Sequence, residues 1–169
     1  MTVDYREGLP GDGRALDGVF DSSFCDTFAH LYAQEDLDAF LSGFGIADWE
    51  AQLASADHAF RVAEADGEIV AYAKLGPMTL PVETSRRTLL LDQIYVLSGH
   101  HGAGIGRQLL DWAIAEARRR AAEELYLTVF TENHRARQLY LRYGFEDVGP
   151  YKFMVGNHAD EDIIMRLTL

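Results

Sequence analysis

Residues 91–106 read LDQIYVLSGHHGAGIG, and this stretch is the most informative part of the sequence. Its first half continues an apolar run that starts at Thr88, which is typical of a strand inside a sheet. Its second half is a glycine-rich turn from Gly102 to Gly106, and helical spacing starts at Ile105. Glycine permits positive φ angles and close approach of a ligand, and the N–H groups of a first helical turn lack intrahelical partners. The stretch therefore predicts a strand, a turn and a helix that together form an anion site suited to a pyrophosphate.

The segments before this stretch contain a clear hairpin signal. Asp66-Gly67 lies between two β-prone runs, Ala59–Ala63 and Ile69–Ala73, and an Asp-Gly pair supplies the positive φ angles of a tight hairpin turn. The other upstream elements follow from the spacing of apolar residues, and they are a short strand at Thr2–Tyr5, helices over 14–32 and 37–44, and a further helical turn at 48–55.

The segments after it alternate between helix and strand and end in a hairpin. The predicted elements are a helix over 105–120, a strand over 124–130, a helix over 133–143, and a terminal hairpin built from Phe145–Val148, Lys152–Val155 and Ile163–Thr168. The order predicts an α/β (α+β) fold with a mixed, mostly antiparallel central sheet flanked by helices. The sheet is parallel where residues 88–97 and 124–130 are joined through a helix.

Length and composition exclude several classes of protein. The 169 residues fit a single domain over 1–169, and no repeat or linker divides them. The net charge of −12 argues against nucleic-acid binding, which needs basic surface. No apolar stretch approaches the roughly 20 residues that cross a bilayer, and the N-terminus has no signal-peptide pattern. Cys25 is the single cysteine, so no internal disulfide forms, and a cytoplasmic location is expected.

Two motifs carry a family resemblance. His101-x-x-Gly104-x-Gly106 resembles the Arg/Gln-x-x-Gly-x-Gly/Ala core of the GNAT acetyltransferase superfamily, with His101 in place of the usual Arg or Gln. The second motif, Asn133 to Phe145, is similar to the family pattern N-x-x-A-x-x-x-Y-x-x-x-G-F. Neither the G-x-G-x-x-G of dinucleotide-binding folds nor the Gly-Lys-Ser/Thr of a P-loop is present. The sequence is therefore identified as resembling GNAT enzymes, which implies the GNAT fold.

Weaker similarities extend to both ends of the chain. Five segments resemble the corresponding parts of PaiA-type polyamine N-acetyltransferases, namely Asp26-Thr27-Phe28, Leu37 to Phe44, Leu91 to Val96, Met154-Val155-Gly156 and Asp162-Ile163-Ile164-Met165. The spermidine/spermine acetyltransferases share the strand-to-glycine pattern. In both groups a Glu usually occupies the place of Asp92.

The resemblance implies acetyl-CoA as co-substrate. The residues that it implies for binding are Ile94, Tyr95, Val96, His101, Gly102, Ala103, Gly104, Ile105, Gly106, Arg107, Asn133 and Tyr140. The backbone N–H of Val96 is expected to face the thioester oxygen, and Asn133 to bind the pantetheine arm, to cap its helix, or both. His100 and His101 are adjacent, but no third ligand stands at convincing spacing, so no metal is predicted.

Two side chains are candidates for proton transfer. An alkylamine has a pKa of about 10.4 and arrives protonated, so a group must take a proton before it attacks the thioester in a ternary complex. Asp92 interrupts an apolar strand and is the candidate base, directly or through a water; a paired or edge-exposed Asp is the alternative. Tyr140 is the candidate general acid toward the departing thiolate, with core packing as the alternative.

The predicted reaction is transfer of acetyl to a primary amine of a small molecule, with polyamines or diamines favoured. Residues 1–60 hold twelve acidic and two basic residues, which suits a cationic substrate or a solvated face. Acetylation of a protein N-terminus or lysine is a second possibility, and a CoA-sensing module without turnover is a third. The resemblance also implies that a homodimer is possible.

Overall fold

A computed structural model describes residues 2–169. These residues form seven strands and five α-helices. The strands are β1 (Val3–Glu7), β2 (Ala59–Ala65), β3 (Glu68–Gly76), β4 (Thr88–Val96), β5 (Glu124–Phe130), β6 (Glu146–Val155) and β7 (His158–Thr168). The helices are α1 (Gly13–Phe28), α2 (Gln34–Ser42), α3 (Ile46–Leu53), α4 (Ile105–Arg119) and α5 (His134–Arg142), with short 3-10 turns at Ala29–Leu31 and Ser98–His100. Within the described residues, no helix is long and apolar enough to cross a membrane.

The strands form one mixed sheet in the order β1-β2-β3-β4-β5-β7-β6. Neighbouring strands pair antiparallel everywhere except between β4 and β5, which are joined through α4 and pair parallel. The predicted mixed, mostly antiparallel α/β fold is therefore confirmed, including the position of its parallel pair. The predicted Asp-Gly hairpin joins β2 and β3, and Asp66 and Gly67 have φ angles of 52° and 80°.

Helices cover both faces of the sheet. The apolar stripe of α4 packs with part of α5 against one face, where Leu109, Ala113 and Leu127 are buried in the largest core cluster. The helices α1, α2 and α3 cover the other face, where Phe20 and Trp49 belong to a second, aromatic-rich cluster. The sheet thus separates two chemically different layers, and any opening through the sheet connects them.

The one parallel strand pair is short. β4 and β5 are hydrogen-bonded only at Thr88–Leu90 against Glu124–Tyr126. The pairing of β3 with β4 is also irregular at this point, because Lys74 pairs with Gln93 whereas the next residue, Leu75, pairs with Leu91. Asp92 is therefore the extra residue of a β-bulge, and bulges bend a strand and increase its twist. Beyond Leu90 the two strands separate and leave a gap in the middle of the sheet.

Several details differ from the sequence-based prediction. α2 spans Gln34–Ser42 instead of 37–44, and β7 starts at His158 instead of Ile163. Residues 46–53 form a complete helix rather than a single turn, and the Asp48 carboxylate accepts from the Gly45 N–H at 2.8 Å at its start. The first helix ends at Phe28 and continues only as a 3-10 turn. β6 is one strand rather than two pieces, since a bulge between Asp147 and Gly149 accommodates the interruption.

The turn between β6 and β7 is fixed to α2. The Asn157 N–H donates to the Asp36 carboxylate at 2.8 Å. Gly156 has a φ of 58°, and a Cβ at this position would come within 2.6 Å of the Asp36 Cα. The close approach of two backbones therefore requires glycine here, and it holds the last hairpin beside α2.

We expect Gly156→Ala to lower the free energy of unfolding by about 2–4 kcal/mol, because it combines an unfavourable left-handed φ with a backbone clash. Gly67→Ala is the matched control, since Gly67 also has a positive φ but nothing lies within 4 Å of its added Cβ. It should cost about 1 kcal/mol. Urea unfolding of both variants measures the difference, and equal losses would show that the contact with Asp36 contributes nothing.

Candidate active site

The gap between β4 and β5 opens into a cleft of about 830 Å³. Its walls include the free halves of both strands, the first turn of α4, and α5 on one face of the sheet. On the other face its walls come from α1, from Tyr32 and Phe40, and from the last two strands. The cleft therefore runs through the sheet and connects its two layers.

Backbone groups of β4 point into this gap. Leu97 donates its N–H to the Val70 carbonyl on β3 at 2.9 Å. Because hydrogen-bonding direction alternates along an antiparallel strand, the N–H groups of Val96 and Ile94 point away from β3, toward the gap. β5 does not pair with β4 at this height. These donors are therefore available to a ligand that lies between the strands.

The glycine turn forms an anion-binding surface at the mouth of the cleft. Gly102 and Gly104 have φ angles of 82° and 79°, and α4 begins at Ile105. The first helical hydrogen bond to the turn runs from Gln108 to the Gly104 carbonyl at 3.1 Å, so the N–H groups before it lack helical partners. No atom lies within 4 Å of the Cβ positions of Gly102, Gly104 and Gly106. The open space, the free donors and the helix dipole suit a pyrophosphate.

The two adjacent histidines differ in their contacts. His101 Nε2 lies 2.9 Å from the Val96 carbonyl oxygen. Because that oxygen only accepts, Nε2 carries the proton, and the neutral ring presents Nδ1 as an acceptor. His101 therefore donates to a phosphate only when Nδ1 carries a proton as well as Nε2. His100 also lines the cleft, and its buried Nδ1 has no hydrogen-bond partner among the described residues.

α5 contributes Asn133 and Tyr140 to the same wall. Asn133 caps the helix, because its side-chain oxygen accepts from the Ala136 N–H at 3.4 Å, and its amide nitrogen stays free to donate. Tyr140 is 8% exposed and packs edge-on against Phe145. Burial raises the pKa of Tyr140 to about 12, so its hydroxyl stays protonated at neutral pH.

Asp92 lines the cleft at the bulge and pairs with a buried lysine. Its carboxylate lies 3.0 Å from Lys74 Nζ, and its side chain is 40% exposed. Lys74 is 2% exposed, donates to Gln52 at 2.9 Å, and lies about 5 Å from the Phe44 and Trp49 rings. Asp92 is therefore a paired aspartate, which was the alternative drawn from the sequence. Its carboxylate nevertheless remains at the cleft surface.

A second group of acids was missed from the sequence. Asp160 and Asp162 on β7 line the cleft and are 6% and 7% exposed. The Tyr32 hydroxyl donates to Asp160, and His158 Nε2 lies 3.2 Å from it. Burial, and then the charge of Asp160, raise the pKa of Asp162 to about 7, and the Thr128 hydroxyl opposes the shift. The Asp-x-Asp spacing places both carboxylates on one face of a strand and was the available signal.

The cleft carries opposite charges on its two sides. Its arginines all lie on α4 and α5, at Arg107, Arg135 and Arg142. Its carboxylates all lie on strands, at Asp92 on β4 and at Asp160 and Asp162 on β7. One side is therefore suited to phosphate groups and the other to a cation.

The predicted site residues share this cleft, with one exception. Those that line it are Asp92, Ile94, Tyr95, Val96, His101, Gly102, Gly104, Ile105, Gly106, Arg107, Asn133 and Tyr140. Ala103 lies in the same turn but is not part of the lining. Across residues 2–169 there is no group of three or more His, Cys, Asp or Glu placed to hold a metal ion.

Comparisons with known proteins agree with this geometry. The model of the acetyltransferase (GNAT) family matches residues 22–145. An uncharacterized N-acetyltransferase of Mycobacterium tuberculosis is 32% identical over 129 residues, which are 76% of this chain and 77% of the relative. The streptothricin acetyltransferase of Streptomyces lavendulae is 32% identical over 164 residues, covering 88% of this chain and 84% of the relative.

The fold also matches a solved structure along its whole length. The PaiA N-acetyltransferase of Thermoplasma acidophilum, solved in complex with coenzyme A, superposes with a TM-score of 0.80. The match covers 100% of both chains at 19% sequence identity, so it shows a shared fold.

We expect Asp162→Asn to stabilise the protein in a pH-dependent way. The folded state raises the pKa of Asp162 from 3.8 to about 7, so ionisation costs stability as the pH rises through this interval. Asn cannot ionise, and its advantage over the wild type should grow by about 2–3 kcal/mol between pH 5 and pH 8. Chemical denaturation at both pH values measures the effect. Glu161→Gln, an exposed neighbour, is the control, and an advantage that does not change with pH would contradict the burial argument.

Proposed function

This chain belongs to the GNAT acetyltransferase family and is an acetyl-CoA-dependent N-acetyltransferase, and we propose that its acceptor is a primary amine of a small cationic molecule, with polyamines and diamines favoured. The observation that carries the proposal is the division of charge in the cleft. Arginines lie on its helical side and three carboxylates lie on its strand side. An anionic co-substrate and a cationic acceptor can therefore approach from opposite faces of the sheet.

The cofactor side fits acetyl-CoA, which supplies the acetyl group as a thioester. We assign the free N–H groups after Gly104 and the Arg107 side chain to the pyrophosphate. We assign three groups that face the gap to the pantetheine arm. They are the backbone of Ile94, the backbone of Val96 and the free amide of Asn133. The Val96 N–H is assigned to the thioester oxygen, where a fixed donor stabilises developing negative charge.

Asp92 and Tyr140 are assigned to proton transfer. One Asp92 oxygen is occupied by Lys74, which leaves the rest of the carboxylate to bind a water at the cleft surface. We therefore assign Asp92 to holding a water that takes the proton of the amine. Burial keeps the Tyr140 hydroxyl protonated at neutral pH, as a general acid toward the CoA thiolate must be.

Both alternatives drawn from the sequence remain distinguishable by experiment. Acetylation of a protein N-terminus or lysine would place a peptide across the acidic side of the cleft, and a sensing module would bind acetyl-CoA without turnover. The name of the streptothricin relative supports a small-molecule acceptor. The cytoplasmic location, the single domain over residues 1–169 and a homodimer stay predictions.

We expect saturable thiol release from acetyl-CoA with small diamines and polyamines. The panel contains putrescine, spermidine, spermine, an aminoglycoside and lysine peptides, and thiol release is followed by a disulfide reagent. The acidic half of the cleft favours the multiply charged small amines. Turnover with the peptides alone would contradict a small-molecule acceptor and favour acetylation of proteins. Tight acetyl-CoA binding without any turnover would favour the sensing module.

We expect Tyr140→Phe to lower kcat by about 100-fold or more, because general acid catalysis contributes on this scale. Affinity for acetyl-CoA should change little, since only a hydroxyl is lost. Tyr143→Phe is the matched control, because Tyr143 ends the same helix but donates to Asp111 at 2.7 Å outside the cleft. Steady-state kinetics compares the two variants. Turnover that survives Tyr140→Phe would remove Tyr140 from the proton transfer.

A further inference from the structure

Two buried carboxylates in the cleft are not used by the acetyl transfer assigned above. We propose that Asp160 and Asp162, together with the Tyr32 hydroxyl, form a second ammonium subsite that binds the far, non-reacting amine of a diamine or polyamine. The proposal rests on the proposed function and specifies how the acceptor is recognised.

The sheet register places both carboxylates toward the cleft. Residues two apart on a strand share a face, so Asp160 and Asp162 lie side by side on β7. Asp162 pairs across the sheet with Phe130 on β5, and Asp160 pairs with Phe153 on β6. Both phenylalanines line the cleft. The carboxylates therefore lie between aromatic walls.

The aromatic side chains suit an alkylammonium ion. The Phe28 ring packs edge-on against Phe130 at 6.1 Å, and the Phe24 ring stacks on Tyr32 at 5.9 Å. All four rings line the cleft. Aromatic faces attract cations, and they cover the methylene chain of an amine at the same time. A carboxylate pair inside such walls recognises a cation with an apolar tether.

The charge of this group is incompletely balanced within the protein. Asp160 has the Tyr32 hydroxyl and the half-exposed ring of His158 as partners. Asp162 has the Thr128 hydroxyl nearby, and no cation contributes to its ionisation. More than nine-tenths of each aspartate is buried. A buried carboxylate without a cation is costly, and a bound ammonium ion would remove that cost.

A buried hydroxyl without a partner lines the same half of the cleft. Ser23 on α1 is 4% exposed, and its hydroxyl has no hydrogen-bond partner among residues 2–169. It borders the cleft together with Phe20 and Phe24. Most buried hydroxyls are satisfied within the protein, so this one is consistent with a polar ligand group in the cleft.

The subsite is separate from the position where acetyl transfer is assigned. β5 lies between β4 and β7, so these two strands are at least roughly 10 Å apart, and the separation of β4 from β5 after Leu90 adds to this distance. Asp92 lies on β4, whereas Asp160 and Asp162 lie on β7. A chain of a few methylene groups can join a reacting amine beside β4 to an ammonium ion beside β7. The geometry thus predicts that recognition depends on the length of the diamine.

The test compares diamines with monoamines of equal length. We expect kcat/KM for 1,4-diaminobutane to exceed that for n-butylamine, and a series from three to six carbons to show one preferred length. In Asp162→Asn the ratio of diamine to monoamine should fall by about tenfold, as expected for a lost charged hydrogen bond. Asp160→Asn should lower the same ratio. If the aspartates had a purely structural role, or acted as base for the reacting amine, the variants would lower kcat/KM equally for the diamine and the monoamine. That result would overturn the proposal.

Glu161→Gln is the matched control. Glu161 lies between the two aspartates, is exposed, and pairs with Lys152 at 3.4 Å instead of lining the cleft. The variant removes the same charge from the same strand, and it should leave the ratio unchanged. A fall equal to that of Asp162→Asn would assign the effect to net charge and would contradict a defined subsite.

Binding provides a second readout that needs no turnover. Calorimetric titration of the CoA-bound wild type with 1,4-diaminobutane should show binding that n-butylamine lacks and that Asp162→Asn weakens. Acetylation of both amines with equal efficiency would leave the proposed function intact and reject the subsite. If no small amine is acetylated, the proposed function fails, and the titration alone then decides whether the subsite binds a diamine.

Discussion

The separation of β4 from β5 after Leu90 is the constraint on which the rest of the site depends. Two parallel strands in the middle of a sheet would normally satisfy each other's backbone groups over their whole length. Here the bulge at Asp92 and the early end of the pairing leave the donors of Ile94 and Val96 directed into a gap. The gap makes one cleft out of two layers that the sheet otherwise separates. Cofactor and acceptor can then meet in the plane of the sheet.

Both ends of this cleft contain features that lower the stability of the fold and that a purely structural protein would avoid. The glycine turn has an open anion-binding surface instead of side-chain contacts, and Lys74 and Asp92 bring an ion pair into the edge of an aromatic core. Asp162 stays close to the cleft with a raised pKa and without a cationic partner. Local departures of this kind are typical of positions selected for binding or catalysis rather than for stability.

The parts of this account that rest on local chemistry could be predicted from the sequence. The glycine turn, the strand before it and the helix after it are defined by adjacent residues, and so is the Asp-Gly hairpin. The parallel pair followed from the helix that joins its strands. Lys74 could not be found this way, since its partners lie on two elements remote from it in the chain, Asp92 on β4 and both Gln52 and Trp49 on α3. Asp160 and Asp162 lie before the predicted last strand, Ile163–Thr168, and only the observed start of β7 at His158 places them together on one face of a strand.

In the proposed reaction, the two sides of the cleft separate the co-substrate from a cationic acceptor. A crystal structure with a bisubstrate adduct tests it most directly, with 1,4-diaminobutane joined through an acetyl linker to the sulfur of CoA. We expect the pyrophosphate against the turn from Gly102 to Arg107, the linker in the gap beside Val96, and the free ammonium within roughly 4 Å of Asp160 or Asp162. An adduct whose diamine leaves the gap away from β7 would contradict it.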